Sequence, residues 1–391
     1  MARVPPTTGR RIGAALARLL WLLGVGGGAL AVAQPANDRA RATPRALRGT
    51  PAVVAMDLSS GLPVVGAMVN GVPLRLVLDS GAGYCVLSPD AAERTGVRVW
   101  QPADLVARDA AGNRKAVDAA HIDRLTLPAA DGDRGAGVGV EIGDFDAIVL
   151  DSPVVKAAGA DGIVGLPLFA RAAVRLDFPA GTATIGADPL RDADAPGTIP
   201  LRAVNGLMAI DATYLPTTPT TPTTRAAPEA GGDDESHEAA AGGDRAGGAG
   251  GDGGGGGEVD AAAAGEPVAL TLLLDTGFSG VLHLPSATAG QLAGDAAAAN
   301  AADGGTSTTA LDEQPFQSIR LDGALTFAAH RLTRPAASLF PGDRGAGNGA
   351  LGTGLLRHYV VTIDLPRRRV RFEGPAEVAE PGRAQSATRP S

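Results

Sequence analysis

Short apolar runs broken by turn residues set the pattern of this chain from residue 62 onward. Leu62–Met68 and Val72–Leu78 are two β-rich runs with Asn70-Gly71 between them. Asn-Gly tolerates the positive φ of a tight primed turn, so the three pieces read as a hairpin. Strand-like runs continue to Ile185. From Thr217 to Gly265 the pattern stops: Thr-Thr-Pro repeats give way to Gly, Ala and Asp, including Gly253–Gly257. A stretch of this kind buries too little apolar surface to offset chain entropy, and the pattern predicts disorder over 216–265. Strands resume at Val268 and end near Phe372, and 374–391 reads as a frayed tail.

The runs repeat. Val72-Pro-Leu-Arg-Leu-Val-Leu-Asp79-Ser-Gly81 matches Val268-Ala-Leu-Thr-Leu-Leu-Leu-Asp275-Thr-Gly277 without a gap, and Pro89 then pairs with Pro285. A second block, Asp161-Gly-Ile-Val-Gly165, aligns with Asn348-Gly-Ala-Leu-Gly352. Asp177 and Asp364 follow the last glycine of each block at the same spacing, and each precedes a turn and another strand, Thr182–Ile185 and Arg369–Phe372. Shared blocks in a shared order indicate a duplicated β domain. The register predicts an N-terminal lobe over 60–198 and a C-terminal lobe over 199–373. In the second copy the strand that opens the hairpin is Leu207–Leu215, which puts the low-complexity stretch at a loop tip, where insertions are tolerated.

Composition adds three limits. The chain has 391 residues and a formal charge of −8, with no basic footprint for nucleic acid. Cys85 is the single cysteine, so no intrachain disulfide exists, and it reads as a small buried hydrophobe beside Val86 and Leu87. Residues 1–33 have the layout of an export signal: Arg10-Arg11, an apolar run from Ala14 through Leu30, and a small-x-small site at Ala31-Val32-Ala33. The expected location is periplasmic or secreted; an uncleaved N-terminal membrane anchor is the alternative, and the twin-arginine route lacks its usual downstream residues. Residues 34–59 read as a linker, or as a pro-segment whose Arg39, Arg41, Arg45 and Arg48 lie over an acidic cleft.

Leu78-Asp79-Ser80-Gly81-Ala82 and Leu274-Asp275-Thr276-Gly277, with Ile163-Val164-Gly165 and Ala350-Leu351-Gly352 downstream, resemble the aspartic peptidase superfamily, closer to its bacterial retropepsin-like members than to pepsin. The resemblance covers about 60–188 and 200–373. It implies an all-β, two-lobed acid-protease barrel fold with pseudo-twofold symmetry, in which each hydrophobic-hydrophobic-Gly strand crosses the loop bearing its aspartate. It implies that Asp79 and Asp275 meet as a catalytic pair, that Ser80 and Thr276 hydroxyls bond across the two loops, and that Gly81 and Gly277 allow close backbone approach. It also implies an endopeptidase acting on a peptide or protein substrate, without cofactor or metal, and sufficient as a monomer. Ala82 and Phe278 are expected at the substrate, Phe278 standing where a small residue is usual. Flap hairpins are expected around Gly112, in Asp109–Asn113, and Gly304, in Asp303–Gly305; ordinary surface turns are the alternative.

Other chemistries fit less well. The five histidines have no metal-ligand spacing and read as surface or strand residues. Gly277-Phe278-Ser279-Gly280 lacks the final glycine position of a nucleophile elbow. Asp177 and Asp364 suit a role in the hairpins they end. The competing function is a protease-fold peptide-binding module of the cell envelope that has lost turnover, and a third is a structural envelope protein.

Overall fold

Asn70 and Gly71 adopt φ of 49° and 86°, and the strands Val64–Val69 and Val72–Asp79 pair across them from Val69↔Val72 to Val64↔Val77. A primed turn has the twist its flanking strands require, so the two residues set the first hairpin. The structure is a computed structural model. It describes residues 44–379 except 45, 110–112, 131–138, 205, 218–264, 295–300, 309 and 341–347, together with the strand Ala31–Ala33; for 31–33, 303–308, 313, 314 and 379 it describes the backbone alone. The expected leader otherwise lies outside the described residues, as does nearly all of the low-complexity insert. Among the described residues no helix is long and apolar enough to cross a membrane.

The fold is all-β and two-lobed. In lobe one the order Val64–Val69, Val72–Asp79, Gly162–Gly165, Val86–Leu87, Val140–Val149, Asp118–Leu127 closes on itself where Leu125 pairs with Val69. Leu74, Leu76 and Leu78 point into the main core while Val77 points into a second cluster, so the Asp79 strand is buried on both faces. This is why its sequence is a nearly unbroken apolar run rather than an alternation. Lobe two repeats the plan. Leu207–Pro216 pairs with Val268–Asp275, which pairs in parallel with Gly349–Gly352. The long strand 118–127 is split there into Glu313–Arg320 and Gly323–Phe327, and the second piece returns to Leu207–Pro216 through Thr213↔Thr326.

A six-stranded antiparallel sheet joins the lobes, in the order Thr198–Pro200, Arg369–Glu373, Val360–Asp364, Ala173–Asp177, Thr182–Ala187, Ala52–Asp57. Each lobe gives three strands, and the central pairing Arg175↔Thr362 marks the pseudo-twofold. Asp177 and Asp364 sit at the ends of the two central strands and cap the turns that follow: Ala180 N–H donates to Asp177 Oδ1 (3.0 Å) and Arg367 N–H to Asp364 Oδ1 (3.0 Å).

Two sequence expectations need correction here. The stretch 34–59 contains Ala46–Arg48, which pairs with Glu141–Gly143, and Ala52–Asp57, whose Ala52, Val54 and Met56 are buried in the joining sheet. That second strand pairs with its neighbour Val64–Val69 through Met56↔Val65 and Asp57↔Val64, and along its other edge with Thr182–Ala187, which is remote in sequence. The repeat is also not gapless through Pro89 and Pro285. Ile163 faces Val86, whereas its counterpart Ala350 faces His283, one position later than the ungapped alignment allows. Pro89 is accordingly the first residue of a helix, Pro89–Thr95, capped by Ser88, while Pro285 precedes the helix Ser286–Ala293.

Candidate active site

Each of the two aspartates ends a strand and starts a turn. Asp79 pairs with Gly165 and Asp275 with Gly352, so the crossing strand passes directly beside each loop. At Gly165 a side chain would strike the carbonyl oxygens of Tyr84 and Ala82, and at Gly352 those of Gly280 and Phe278. A Cβ on Gly81 would run into the Asp275 carboxyl group, and one on Gly277 into that of Asp79. The glycines therefore stand where two chains approach within contact distance.

The hydroxyls of Ser80 and Thr276 knit the loops across the pseudo-twofold. Ser80 N–H donates to Thr276 Oγ1 (2.8 Å), whose hydroxyl donates to the Leu78 carbonyl (2.7 Å). In the mirror half, Thr276 N–H donates to Ser80 Oγ (3.0 Å), whose hydroxyl donates to the Leu274 carbonyl (2.8 Å). All four bonds are buried, and each joins residues nearly two hundred positions apart.

Within this frame the carboxyl groups of Asp79 and Asp275 lie in hydrogen-bonding reach of each other. They are 7% and 2% exposed. Gly81 N–H (2.7 Å) and Gly277 N–H (3.1 Å) both donate to Asp79 Oδ1. Asp275 Oδ1 receives Gly277 N–H alone (3.0 Å), and Asp275 Oδ2 is buried with no hydrogen-bond partner. Burial pushes both groups above the ordinary aspartate range, and repulsion from Asp79 adds to the rise at Asp275. Two such groups share a proton and titrate as a pair. The extra N–H donor favours the charge on Asp79 and the proton on Asp275.

The other expected site residues fall elsewhere. Ala82 is buried in the lobe-one cluster with Leu62 and Tyr84, so it gives no side chain to a cleft wall. The Phe278 ring folds back over Gly280 and Gly352 and lies 5.6 Å from the His283 ring, filling its own lobe instead of narrowing the cleft. Gly112 lies outside the described residues; the hairpin around it is held by Asp109, whose carboxylate accepts Asn113 N–H (2.8 Å) and Asn113 Nδ2 (2.9 Å). Gly304 is not at a hairpin tip. It lies inside the strand Ala302–Thr308 at a shift in register, and the turn comes beyond Thr308, where Ala310 and Leu311 pack against the lobe-one cluster.

Sequence reasoning missed Thr353, directly after Ala-Leu-Gly, whose hydroxyl meets the carbonyls of Phe278 (2.9 Å) and Thr276 (3.2 Å) and braces the Asp275 loop. It also missed the Cys85 thiol, which accepts Gly165 N–H at 3.4 Å and is pushed up to about 12 by burial. Among the described residues, no His, Cys, Asp or Glu side chains cluster as metal ligands. His121, His283 and His330 all lie on strands, the last two buried.

Residues 65–168, which span the Asp79 loop and its crossing strand, match the family model described as aspartyl protease. No curated protein matches the sequence. A crystal structure of a retropepsin-like aspartic protease from Rickettsia conorii is similar at 15% identity, over 36% of this chain and 92% of that one, with a TM-score of 0.24. The matched segment lies in the first lobe, whose aspartate strand and crossing strand the second lobe repeats, and over that segment the chain is similar to the aspartyl protease family.

Proposed function

We propose that the protein is an aspartic endopeptidase in which Asp79 and Asp275 activate one water against a peptide bond. The observation that carries this reading is the contact between two buried carboxyl groups, held by Gly81 and Gly277 N–H and by the Ser80–Thr276 cross-bonds. A purely structural pair would gain nothing from two raised carboxyl groups in contact.

In the proposed cycle the ionised Asp79 takes a proton from the water as its oxygen attacks the scissile carbonyl carbon. Asp275 gives its proton to the carbonyl oxygen, and a neutral geminal diol forms. Collapse of the diol breaks the C–N bond: Asp79 returns its proton to the leaving nitrogen, and Asp275 recovers one from a diol hydroxyl. The pair ends as it began, with no covalent intermediate. Asp275 Oδ2, buried and unpartnered in the protein, supports a role as the acceptor for the water or diol hydroxyl. The substrate is an extended peptide, bound between the lobes in β conformation. The proposal includes export, with cleavage after Ala33.

The test is incubation of the chain from Gln34 onward with a mixed peptide library from acid to neutral pH. Cleavage by wild type, lost in Asp79→Asn and in Asp275→Asn, is expected. A folded wild type that binds peptides and cleaves none at any pH would make the chain a binding module instead. N-terminal sequencing of exported protein is expected to begin at Gln34.

A further inference from the structure

The parallel pairs beside the dyad are bracketed at their far ends by one device used twice. In lobe one, Arg75 N–H donates to Asp161 Oδ2 (2.7 Å), and Asp161 N–H donates to the Arg75 carbonyl (2.7 Å). In lobe two, Thr271 N–H donates to Asn348 Oδ1 (2.8 Å), and Asn348 N–H donates to the Thr271 carbonyl (2.8 Å). A side-chain oxygen and its own backbone amide thus grip both polar groups of one residue on the aspartate strand. Arg75 and Thr271 stand at equivalent positions before Asp79 and Asp275, and Asp161 and Asn348 at equivalent positions before Gly165 and Gly352.

We propose that Asp161 and Asn348 are positioning residues that set the alignment of the Asp79/Asp275 pair by fixing the register of the crossing strands; this rests on the function proposed above. Slanted, evenly spaced bonds specify register poorly along a parallel pair, and an apolar strand buried on both faces adds little discrimination. Here the clamp starts the pair at Leu76↔Gly162 and Leu272↔Gly349, and it ends at Asp79↔Gly165 and Asp275↔Gly352. Only glycine fits at the end positions, because neighbouring carbonyls occupy the space of a Cβ. Clamp and glycine together hold each aspartate loop at a single height against its crossing strand.

The two clamps differ in charge, and their surroundings differ accordingly. The Asp161 carboxylate also meets the Arg94 guanidinium, from the helix Pro89–Thr95, and Arg94 in turn pairs with Asp90 (2.9 Å). The Arg75 side chain bonds Asp57 (2.8 Å) and the Gly159 carbonyl (3.3 Å), which ties the clamp to the joining sheet. Asn348 does the same work with a neutral amide. The grip therefore needs an acceptor oxygen at that position rather than a charge, and Arg94 serves to compensate the charge that lobe one happens to carry.

Two readouts test this: kcat and KM across pH, and the titration of the dyad followed by 13C-carboxyl NMR of aspartate-labelled protein, which needs no turnover. Asp161→Ala and Asn348→Ala are expected to lower kcat about tenfold or more, with KM within about twofold, and to move the titration of the pair. Asp161→Asn, which keeps the acceptor, is expected to stay within about twofold of wild type in both readouts. Arg94→Ala is expected to move the titration in the Asp161 background and to be silent in Asp161→Asn. Wild-type kcat, pH profile and titration in folded Asp161→Ala and Asn348→Ala would overturn the proposal and leave the clamps as stability elements. Should the alanine variants not fold, an Asp161→Asn variant whose kcat falls about tenfold or more, or an Arg94→Ala variant silent in both backgrounds, would overturn it equally. If wild type cleaves nothing, the proposed function fails by the activity readout, and the NMR titration still decides the positioning role.

Discussion

Ser80 and Thr276 illustrate how few atoms hold the two loops in register. Each hydroxyl serves one N–H and one carbonyl of the opposite loop in a fully buried setting. Ser80→Ala strands two backbone groups away from water, each worth about 1–3 kcal/mol. We expect a loss on the order of 2–4 kcal/mol in chemical denaturation, with Thr276→Ser costing under about 1 kcal/mol because the hydroxyl survives. The repeat places Ser and Thr at matched positions, and the family resemblance implied their bonds across the loops. The thiol of Cys85 was legible as buried but its bond to Gly165 N–H was not, because the contact depends on a crossing strand remote in sequence. Its raised pKa and burial predict that a thiol reagent reacts only after denaturation, at pH 7–8.

The carboxyl pair also has a signature in stability. Both groups titrate higher in the fold than the ~3.9 of an unfolded aspartate. The folded state therefore holds protons that the unfolded chain has already released, and their stabilising contribution is complete below about pH 4 and lost as pH rises through the raised values. Asp275→Asn removes the need to bury a second charge. Its Tm is expected to exceed that of wild type near pH 7, by about 2–4 °C per kcal/mol relieved, and the gap should close toward pH 4. A constant gap across that range would contradict the raised pair.

Among the elements, the hairpin over 302–320 departs most from the sequence reading. Asp303-Gly304-Gly305 has the composition of a turn, yet it forms a register shift inside a strand, and the chain reverses farther on. Gly-rich segments mark bulges as well as turns, and local composition does not separate the two. The hairpin continues until Ala310 and Leu311 meet the lobe-one cluster, so tertiary contact fixes its length. Leu311→Asp puts a carboxylate against that cluster and is expected to speed hydrogen exchange across 302–320 while leaving the Asp79 strand protected. The one-residue slip between the repeats has a similar origin. An ungapped alignment is satisfied by two prolines, but Pro89 starts a helix and Pro285 precedes one, and the backbone register beside each crossing strand decides the equivalence.

For the whole molecule, duplication was the most readable property, because both blocks recur in order and the fold repeats them about Arg175↔Thr362. What the sequence hid is the part each half gives to the joining sheet, where Ala52–Asp57 meets the distant Thr182–Ala187 and Thr198–Pro200 meets the distant Arg369–Glu373. The arms flanking the insert pair as far as Tyr214↔Val268, so the hairpin is complete without it. Replacing 218–264 with a short turn is expected to preserve the fold and raise stability on the order of 2 kcal/mol, as loop closure becomes less costly. Loss of folding on that replacement, seen by circular dichroism, would give the insert a structural part.

The central claim is that the two lobes press the carboxyl groups of Asp79 and Asp275 together so that they share one proton. The most direct measurement is the 13C-carboxyl titration of Asp79 in wild type and in Asp275→Asn. The account predicts two separated steps in wild type, the upper one above the ordinary aspartate range, and a single lower step for Asp79 once its partner is an amide. An Asp79 signal that titrates identically in both proteins would contradict it.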